Sequence, residues 1–494
     1  MTGRRVVVVG GGNAGLCAAI AAREEGADVT LFERAPEALA GGNSAFTGGL
    51  MRAVYDGVDD LRALMPDLTD AEVAHADFGS YSAQQFLDDL ARVTEYRCDP
   101  DLAETLVAHS RDDLRWMTRH GVRFQPSYGR QAFKVGDRFT FWGGAVVDVV
   151  GGGRGLVDSL TSGARSIGVE IVYDAAVTDL LHDGGVHGVR VRVSGRSTEV
   201  AADAVVLAAG GFEANAEWRA SYLGPGWDLA KVRGTRFNTG DGIRMGLDAG
   251  ASPAGNWSGC HAVGWDLNAP EFGDLAVGDG YQKHSYPFGI MVNAHGDRFV
   301  DEGADFRNFT YAKYGRRVLE QPGHMAWQVF DSRVTHLLRD EYRIRQVTRV
   351  RADSIEELAD RLEGVDREGF LETVRRFNAA VRGEVDFDPN VKDGRCTDGI
   401  DPPKSNWANS IDQPPFEAYA VTCGITFTFG GVRIDTAARV LDVAGSPVGN
   451  LYACGEMAAG IFYLNYPGGS GLTAGTVFGR LAGRGAGAGG HARG

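Results

Sequence analysis

The chain has 494 residues, of which 44% are hydrophobic and 23% charged, and its formal net charge is −15. A single hydrophobic core stops growing at about 250–300 residues, so we expect two or more domains. The acidic balance excludes nucleic-acid binding through a basic surplus, and no window approaches the ~18 uncharged apolar residues of a membrane span. We therefore expect a cytoplasmic globular protein whose partner is a small molecule.

The six cysteines and the 70 glycines narrow the class of protein further. No two cysteines form a CxxC pair and metal-ligand spacing is absent, so we expect reduced thiols and no metal site. The glycines stand at about twice their usual frequency and cluster in short patches, as expected where backbone approaches a ligand. Only the tail after Gly483 is predicted to fray.

The N-terminal segment RRVVVVGGGNAGLCAAIAAREEGADVTLFER contains a strand, a glycine-rich turn, a helix and a second strand. The run Val6–Val9 predicts a strand buried on both faces rather than a signal peptide. Gly10, Gly12 and Gly15 form G-x-G-x-x-G, which allows a tight turn, close approach to a pyrophosphate and close helix–strand packing. Glu33 ends the second strand, where it can bind a ribose 2′-hydroxyl. The unit predicts a dinucleotide site but does not separate FAD from NAD.

Later glycine-rich segments favour FAD. GNLYACGEMAAGIF (449–462) has the pattern of a strand, a glycine turn and an acid, Glu456, and a helix opens near Gly471. DAVVLAAGGFEAN (203–215) is typical of a buried strand that leads into a loop of small residues. Contacts so late in the chain suit a cofactor too long for one half-domain. The alternative is that these patches are only tight turns.

A resemblance to a known family rests on motifs that occur in its order: VVVVGGGNAG, GGNSAFTGGL, AVVLAAGGF, TGDGIRMGLDAGA, RFVDE with FRN, and LYACGE with GGSGL and FGRLAG. Together they resemble the flavoprotein family of fumarate reductases and succinate dehydrogenases, nearest the branch of FAD-dependent tricarballylate dehydrogenases. The resemblance implies an α/β fold with a discontinuous Rossmann-like FAD-binding domain, residues 1–255 and 423–494, and an inserted α+β capping domain, residues 256–422. Such a cap would exclude water from the reacting bond.

The resemblance also implies where FAD lies. Glu33 would hold the adenosine ribose and Glu456 the ribityl chain, while Ser470 and Leu472 would meet the pyrimidine end. A histidine attaches the flavin covalently in membrane-bound relatives, but residues 43–45 contain none, so non-covalent FAD is expected. The complete predicted set of cofactor-binding residues is Gly10, Gly12, Asn13, Ala14, Gly15, Glu33, Arg34, Gly42, Asn43, Ser44, Thr47, Gly48, Gly49, Ala176, Ala209, Gly210, Gly240, Asp241, Gly455, Glu456, Ser470, Gly471 and Leu472.

One arginine is implied as the catalytic residue. In this family an arginine soon after RFVNE exchanges a proton with one substrate carbon, while flavin N5 exchanges a hydride with the neighbouring carbon; Arg307 matches it here. A guanidinium in a dry site can stabilise developing enolate charge and can donate a proton. Without the family context, an ion pair of Arg307 with Asp305 or Glu302 is the simpler interpretation.

Other side chains are implied at the substrate. His261 matches a histidine that holds a substrate carboxylate, and Tyr466 and Tyr281 are candidates to share the catalytic work. The three predicted catalytic residues are therefore Arg307, Tyr466 and His261. The predicted substrate-binding residues are Arg52, Tyr281, His284, Gly468 and Gly469.

Several positions depart from the fumarate reductases. Phe427 replaces a second substrate histidine, Tyr466 a carboxylate-binding arginine, and Gln282 and Ser285 a proton-delivering glutamate and arginine. Each lost charge-assisted contact is worth ~1.5–3 kcal/mol, so fumarate or succinate is not expected as the natural substrate. Tricarballylate dehydrogenases are expected to carry arginines in the loop matching GGNSAFTGGLMR, where only Arg52 remains.

The motif set predicts an FAD-dependent oxidoreductase that acts on a CH–CH bond next to a carboxylate. Arg130, Lys283 and His284 are candidates to restore part of the positive field. The YPGG segment also resembles 3-ketosteroid dehydrogenases, in which a tyrosine hydroxyl and a backbone N–H polarise a ketone. An α,β-dehydrogenase of a less charged carbonyl compound is thus one alternative, and a flavin electron-transfer subunit is another. The electron acceptor would be a quinone, a partner protein or oxygen.

Overall fold

The computed structural model describes residues 3–142, 144 and 146–489. Its strands are β1 (Arg5–Val9), β2 (Asp28–Phe32), β3 (Leu50–Met51), β4 (Ala76–Asp77), β5 (Phe124–Pro126), β6 (Ala132–Val135), β7 (Arg138–Phe141), β8 (Val147–Val149), β9 (Glu170–Val172), β10 (Ala175–His182), β11 (Val186–Val193), β12 (Arg196–Ala201), β13 (Ala204–Leu207), β14 (Lys231–Val232), β15 (Pro253–Asp266), β16 (Ile290–Val292), β17 (Ala326–Phe330), β18 (Arg349–Ala352), β19 (Phe416–Val432), β20 (Arg439–Leu441) and β21 (Pro447–Ala453). Its α-helices are α1 (Asn13–Glu24), α2 (Val58–Leu64), α3 (Asp70–Ala74), α4 (Ala83–Val93), α5 (Pro100–Arg119), α6 (Tyr128–Gln131), α7 (Gly152–Ser166), α8 (Ala216–Trp218), α9 (Asp241–Asp248), α10 (Tyr311–Leu319), α11 (Ile355–Arg361), α12 (Arg367–Ala380) and α13 (Ser470–Ala488).

The first lobe is built on a six-stranded sheet in the order β20-β21-β13-β1-β2-β9. β1 lies inside it and pairs in parallel with β13 and β2, so that Val7 is opposite both Val205 and Thr30. Val6–Val9 are all buried, as expected for an inner strand of a parallel sheet. The predicted order of buried strand, helix and second strand is confirmed.

Helices α1 and α13 pack backbone to backbone beside this sheet. Glycines recur at every fourth position of α13, on the side that faces α1. A Cβ atom built at Gly479 would lie 2.4 Å from the carbonyl oxygen of Ala14, and one at Gly483 would lie 2.1 Å from that of Ala18. Only glycine permits this spacing. The prediction that the chain frays after Gly483 is wrong as far as Ala488, because those residues continue the helix.

The second lobe is built on another six-stranded sheet whose longest strand is β19, with 17 residues. β14, β15, β17 and β18 all pair with β19. The predicted domain boundaries, after residues 255 and 422, fall within β15 and β19, which pair antiparallel with each other. The chain therefore passes between the lobes through paired strands, and the division into domains stays a prediction.

A short segment of the first lobe contacts the second. We call residues 128–141 the bridging segment; it comprises α6 and the antiparallel hairpin of β6 and β7. Phe133 on this hairpin stacks on Trp142 with 5.1 Å between ring centroids, and it meets the edge of Phe288 in the second lobe at 5.2 Å. These aromatic contacts fix the bridging segment beside the space between the lobes.

Three further properties bear on the class of protein. Among the described residues, no helix is both long enough and apolar enough to cross a bilayer. All six cysteines carry unpaired thiols, and four of these residues are buried. Within the same part of the chain, no group of three or more His, Cys, Asp or Glu side chains is placed to hold a metal ion.

Candidate active site

A long cavity runs from the carboxyl end of β1 to the face of β19, with walls from both lobes. It encloses about 1880 Å³, its open mouth included. Its lining extends from the glycine-rich turn after β1, past Glu456, to Arg307 and Tyr466. The space therefore suits a ligand of dinucleotide size together with a second, smaller molecule.

The glycine-rich turn after β1 forms one end of the cavity. Gly10 has φ +105°, and a Cβ atom there would lie 2.4 Å from the carbonyl oxygen of Ala208. Helix α1 then begins at Asn13, with Gly12 as its N-cap, no side-chain cap and no acidic residue in its first turn. Unpaired N–H groups at a helix N-terminus bind phosphate oxygens. This end of the cavity is built for an anion such as a pyrophosphate.

Glu33 lies beside this turn on the cavity wall and is buried. Its two carboxylate oxygens accept hydrogen bonds from the backbone N–H groups of Gly11 (2.7 Å) and Ala35 (2.8 Å). Burial raises the pKa of Glu33, while these two hydrogen bonds oppose the shift. The carboxylate is thus held rigidly at the position expected for a ribose contact.

Glu456 lies on the wall in the middle of the cavity, and the fully buried Glu213 lies next to it, behind the wall. Glu213 accepts hydrogen bonds from the side chains of Asn43 (2.6 Å) and Asn238 (2.6 Å), and Glu456 accepts one from the backbone N–H of Thr428 (2.8 Å). Burial, reinforced by the neighbouring Glu456, raises the pKa of Glu213 well above its ordinary value. The pair is therefore stable when it shares a proton.

Arg307 lies on the cavity wall at the opposite end and is only 8% exposed. It begins a short 3₁₀ turn, Arg307–Phe309, that leads into α10. Neither predicted ion-pair partner contacts it, because Asp305 pairs with Arg92 (2.7 Å) and Glu302 pairs with Arg298 (2.5 Å). The interpretation of Arg307 as a structural ion pair with either acid is wrong.

The guanidinium of Arg307 is instead held by main chain and by an aromatic ring. Its Nη2 donates a hydrogen bond to the carbonyl oxygen of Arg130, and its Cζ lies 5.9 Å from the ring centroid of Tyr311. Its Nε is buried and has no hydrogen-bond partner among the described residues. Burial lowers the pKa of Arg307; the Glu341 carboxylate opposes this shift and the Arg130 guanidinium adds to it.

Two buried histidines line the same end, His261 on β15 and His284. Within the described part of the chain, neither ring nitrogen of either residue has a hydrogen-bond partner. Burial lowers both pKa values well below the ordinary histidine value, and the nearby arginines lower them further. Each ring is neutral and offers a ligand one N–H donor and one acceptor.

Tyr311 and Tyr466 complete this end of the cavity, and their hydroxyls hydrogen bond to each other. The ring of His261 lies 5.0 Å from Tyr311 and 4.9 Å from Tyr466, centroid to centroid. Phe427 closes the group at 5.1 Å from Tyr466. Burial raises the pKa of both tyrosines, so both hydroxyls are protonated and can donate a hydrogen bond.

A buried cluster of charges lies next to the tyrosines. The carboxylate of Asp279 pairs with Arg130 (2.8 Å) and also accepts a hydrogen bond from Nε of Arg233 (2.9 Å). The amide of Gln282 donates to the same carboxylate at 2.7 Å. Arg307 brings a third guanidinium to this end of the cavity, but the carboxylate of Asp279 contacts only the other two. The local charge is positive although the whole chain is acidic.

Residues 5–472 match the family model described as FAD binding domain. The chain belongs to this FAD-binding family. It is 30% identical over 484 residues to a fumarate reductase (cytochrome) of Shewanella frigidimarina, covering 97% of this chain and 76% of that one. It is also 30% identical over 561 residues to a 4-oxocyclohexanecarboxylate 2-dehydrogenase of Sinomonas cyclohexanicum, covering 97% and 92% of the two chains. Among solved structures, the open conformation of a flavocytochrome c3 fumarate reductase aligns with TM-score 0.71 and 27% identity over 98% of this chain and 78% of that one.

This flavoprotein is an FAD-dependent oxidoreductase that acts on CH–CH bonds, and the predicted family, α/β fold class and cofactor are confirmed. The cavity fits FAD on its own evidence. The tight turn at Gly10 brings Gly12 and the uncapped start of α1 to the cavity wall, where backbone N–H groups can meet a pyrophosphate. The roles of individual residues stay proposals, as does the non-covalent attachment.

Most of the predicted cofactor-binding residues of the flavoprotein lie together on the cavity wall. They are Gly10, Gly12, Asn13, Ala14, Glu33, Arg34, Gly42, Asn43, Ser44, Thr47, Gly48, Ala209, Gly210, Asp241, Gly455, Glu456, Gly471 and Leu472. The predicted catalytic residues Arg307, Tyr466 and His261 line it too, as do His284 and Gly469 from the predicted substrate set.

Five predicted cofactor residues lie behind the wall instead: Gly15, Gly49, Ala176, Gly240 and Ser470. Ala176 points away because side chains alternate along β10, so that Ala175 and Val177 reach the cavity. A Cβ atom at Gly15 would meet the carbonyl of Gly10 at 1.9 Å, so this glycine serves the packing of the turn. The other three do not contact the cavity: Gly49 packs on Gly152, Gly240 packs on Trp218, and the Ser470 hydroxyl donates to the Pro467 carbonyl.

Three predicted substrate residues are also off the wall: Arg52, Tyr281 and Gly468. Arg52 is fully buried; it donates to the carbonyl of Gly468 (2.9 Å) and to the hydroxyl of Tyr81 (2.9 Å), and pairs with Asp89 at 3.7 Å. Tyr281 packs against Trp265 in the core of the second lobe. Arg52 and Gly468 therefore hold the start of α13 rather than the substrate.

Lys283 does not supply positive field to the cavity either. Its ammonium is fully buried, donates to three main-chain carbonyls and lies 3.8 Å from the carboxylate of Asp266. Arg130, by contrast, does line the cavity. Three residues of the cavity wall, Arg233, Asp279 and Tyr311, were not predicted, and neither was Glu213, which lies next to Glu456. Only Glu213 had a local signal, since it follows the glycines at the end of β13 in GGFEAN.

Proposed function

We propose that this protein oxidises or reduces the CH–CH bond next to a carboxylate, in the manner of tricarballylate dehydrogenases, with Arg307 handling the proton. The observation that carries the proposal is the buried guanidinium of Arg307, which faces the cavity and contacts no carboxylate among the described residues. Bound FAD supplies the acceptor or donor of the hydride. The chain's own residues must bind the acid, exclude water and stabilise charge on the substrate.

The positive end of the cavity supports binding of a carboxylate. Arg233 and Arg307 are buried, Arg130 is partly exposed, and of these three Asp279 contacts only Arg130 and Arg233. A surplus cation in a low-dielectric site attracts an anion strongly. Neutral His261 and His284 add N–H donors that have no protein acceptor in the described chain. A substrate carboxylate would satisfy these donors and neutralise the surplus charge.

Arg307 is suited to stabilise the charge that develops on the substrate. Removing a proton from carbon next to a carboxylate produces enolate-like charge, which a fixed guanidinium in a dry site lowers in energy. Burial also lowers the pKa of Arg307, which eases proton exchange in either direction. The mutual hydrogen bond of Tyr311 and Tyr466 supplies neutral donors on the other side of His261.

The relatives support a substrate that carries a carboxylate. The fumarate reductase of Shewanella frigidimarina and the 4-oxocyclohexanecarboxylate 2-dehydrogenase of Sinomonas cyclohexanicum are both named for carboxylates. Phe427 and Tyr466, however, carry no charge at the two positions where fumarate reductases are expected to hold a histidine and an arginine. We therefore favour an acid with a single carboxylate near Arg307 over fumarate or succinate.

A second candidate function is α,β-dehydrogenation of a carbonyl compound without a carboxylate. The specific observation in its favour is the pair of protonated hydroxyls on Tyr311 and Tyr466. A ketone oxygen that accepts a hydrogen bond from such a pair becomes polarised, which acidifies the neighbouring C–H bond. In this alternative the arginines serve the charge balance of the site rather than the substrate.

Anaerobic reduction of the bound flavin tests the proposal. The FAD-loaded protein is mixed with di- and tricarboxylates, oxo acids and cyclic ketones, and bleaching of the flavin absorbance is followed in a stopped-flow instrument. We expect a carboxylic acid to bleach the flavin and Arg307→Ala to slow this by about 10²-fold or more. Arg345→Ala, at an exposed arginine of the second lobe, is the matched control. Unchanged reduction in Arg307→Ala rejects the proposed role, and bleaching by ketones alone selects the second candidate.

A further inference from the structure

Glu341 is a buried carboxylate that the proposed function does not use. It lies in a short 3₁₀ turn, Asp340–Tyr342, and is 8% exposed. Its Oε1 atom is buried and has no hydrogen-bond partner among the described residues. A buried carboxylate is costly unless charges of opposite sign lie near it. We therefore expect cationic side chains near Glu341.

The turn that carries Glu341 is fixed to the cavity wall. The backbone N–H of Ser285 donates to the hydroxyl of Tyr342 at 2.8 Å, and the backbone N–H of Arg339 donates to the hydroxyl of Ser285 at 3.2 Å. Ser285 directly follows His284, whose ring lines the cavity. Glu341 thus has a defined position relative to the substrate end.

Buried guanidiniums surround this turn. Arg339 donates to the carbonyl of Gly129, and Arg307 donates to the next carbonyl along the bridging segment, that of Arg130. Three cations, those of Arg130, Arg307 and Arg339, are thereby brought to one short stretch of chain. Asp279 pairs with Arg130 at 2.8 Å, but the carbonyl dipoles do not neutralise the charge of Arg307 and Arg339, which leaves a place for a second anion.

We propose that Glu341 is a positioning residue that acts through Arg307: it is the buried counter-ion of this guanidinium at the substrate end of the cavity. The inference rests on the proposed role of Arg307. The negative charge of Glu341 favours the protonated form of each neighbouring arginine, as a counter-ion must. Burial lowers the pKa of Arg307 and that of Arg339, and Glu341 opposes both shifts. Burial also lowers the pKa of Arg130, but the carboxylates of Asp279 and Glu341 outweigh it.

The other groups that face Arg307 cannot take this role. His284 is neutral because burial and the neighbouring arginines lower its pKa. Tyr286 and Tyr311 are neutral because burial raises their pKa values. Arg130 carries the same charge as Arg307. Of the groups whose charges act on Arg307, Glu341 is the carboxylate.

The pH dependence of flavin reduction in the FAD-loaded protein tests the inference. Glu341→Gln removes a negative charge that stabilises the protonated guanidinium of Arg307. We therefore expect the part of the pH–rate profile that follows the protonation of Arg307 to move to lower pH. Glu341→Asp keeps the charge one methylene farther away, and we expect a smaller shift in the same direction. Asp340→Asn removes an exposed carboxylate from the same turn, and its profile should superimpose on that of the parent protein.

The outcomes separate the two proposals. A Glu341→Gln profile that is lowered uniformly without moving overturns the inference, since that is what a purely structural role produces. An equal shift in Asp340→Asn overturns it as well. If Glu341→Gln does not fold with FAD, the comparison of Glu341→Asp with the parent decides, and an unmoved limb rejects the inference. Unchanged reduction in Arg307→Ala, in contrast, rejects the proposed function itself.

Discussion

The side-chain hydroxyls of Tyr311 and Tyr466 hydrogen bond to each other, although Tyr311 begins α10 and Tyr466 lies just before α13. The bond brings together one residue from each lobe beside His261. Because both pKa values are raised by burial, one hydroxyl always has a proton to offer the cavity. Packing alone would not require two buried hydroxyl groups at this place.

Tyr466→Phe tests what this pair does. The variant keeps the ring and its packing on Phe427 but leaves the hydroxyl of Tyr311 without its partner. We expect flavin reduction to slow by about 10- to 10²-fold for a substrate whose oxygen accepts the hydrogen bond, with unchanged FAD content. Rapid-mixing absorbance measures the rate. Tyr419→Phe, which removes a hydroxyl bonded to Glu417 at 2.6 Å, is the control. Equal rates in both variants would mean that the pair is structural.

Gly479→Ala tests the contact between α1 and α13. The new Cβ atom would lie 2.4 Å from the carbonyl oxygen of Ala14, which belongs to the backbone of α1 and cannot move alone. Overpacking of this kind costs about 1–3 kcal/mol, and it displaces the start of α1, where the pyrophosphate is proposed to bind. We expect a lower thermal midpoint and weaker FAD binding, measured by flavin fluorescence. Gly383→Ala, where a Cβ atom meets only the end of an arginine at 3.8 Å, should change neither.

The two buried histidines predict acid sensitivity. Burial lowers the pKa of His261 and of His284 in the folded protein, whereas an unfolded histidine takes up a proton below pH ~6.5. The unfolded state then binds more protons, so stability falls with decreasing pH below ~6.5, by up to about 1.4 kcal/mol per pH unit for each histidine. His284→Gln should reduce this slope. Chemical unfolding of the FAD-loaded protein between about pH 5 and 7 measures it, and His182→Gln, at an exposed position, should leave it as it is.

Glu213 predicts the opposite pH dependence. Its folded pKa is raised well above the ordinary value, chiefly by burial, so the folded state holds the proton to higher pH than the unfolded state. Its contribution to stability is complete below the unfolded pKa of about 4.3 and is lost as pH rises. Glu213→Gln should therefore gain stability relative to the parent protein as pH increases. The difference in thermal midpoint across pH measures this, and a difference that stays constant, as expected for exposed Glu217→Gln, would contradict it.

The part of the site that sequence alone predicted is the part that is local in sequence. The turn at Gly10, the start of α1 and Glu33 are set by neighbouring residues, so their spacing carries the information. Arg307 and Tyr466 were predicted from the order of the motifs, that is, from the resemblance to a family and not from a physical argument about neighbouring residues. Both groups line the cavity.

The remaining residues could not be predicted because strand pairing and loop packing bring them together. Arg233, Asp279 and Tyr311 are separated by tens of residues and share no spacing pattern, yet they meet at one end of the cavity. The prediction that Arg52 binds the substrate was wrong for a related reason. Its position in a glycine-rich loop suggested exposure to substrate, whereas contacts with Tyr81 and Asp89 bury it.

The long strand β19 has a mechanical consequence. Its first half pairs with β17 and β18, while its second half carries Phe427 and Thr428 to the cavity and pairs with β15. A hinge needs a few residues that can change direction freely, whereas β15 and β19 are paired along this length apart from register shifts between Asn256 and Cys260 and between His261 and Ala262. Any rotation of one lobe relative to the other must therefore bend the paired strands β15 and β19 and displace the part of the cavity wall that they carry. The bridging segment, by contrast, meets the second lobe through side chains instead of a ladder of hydrogen bonds: Arg307 and Arg339 donate to its carbonyls, and Phe133 packs on Phe288.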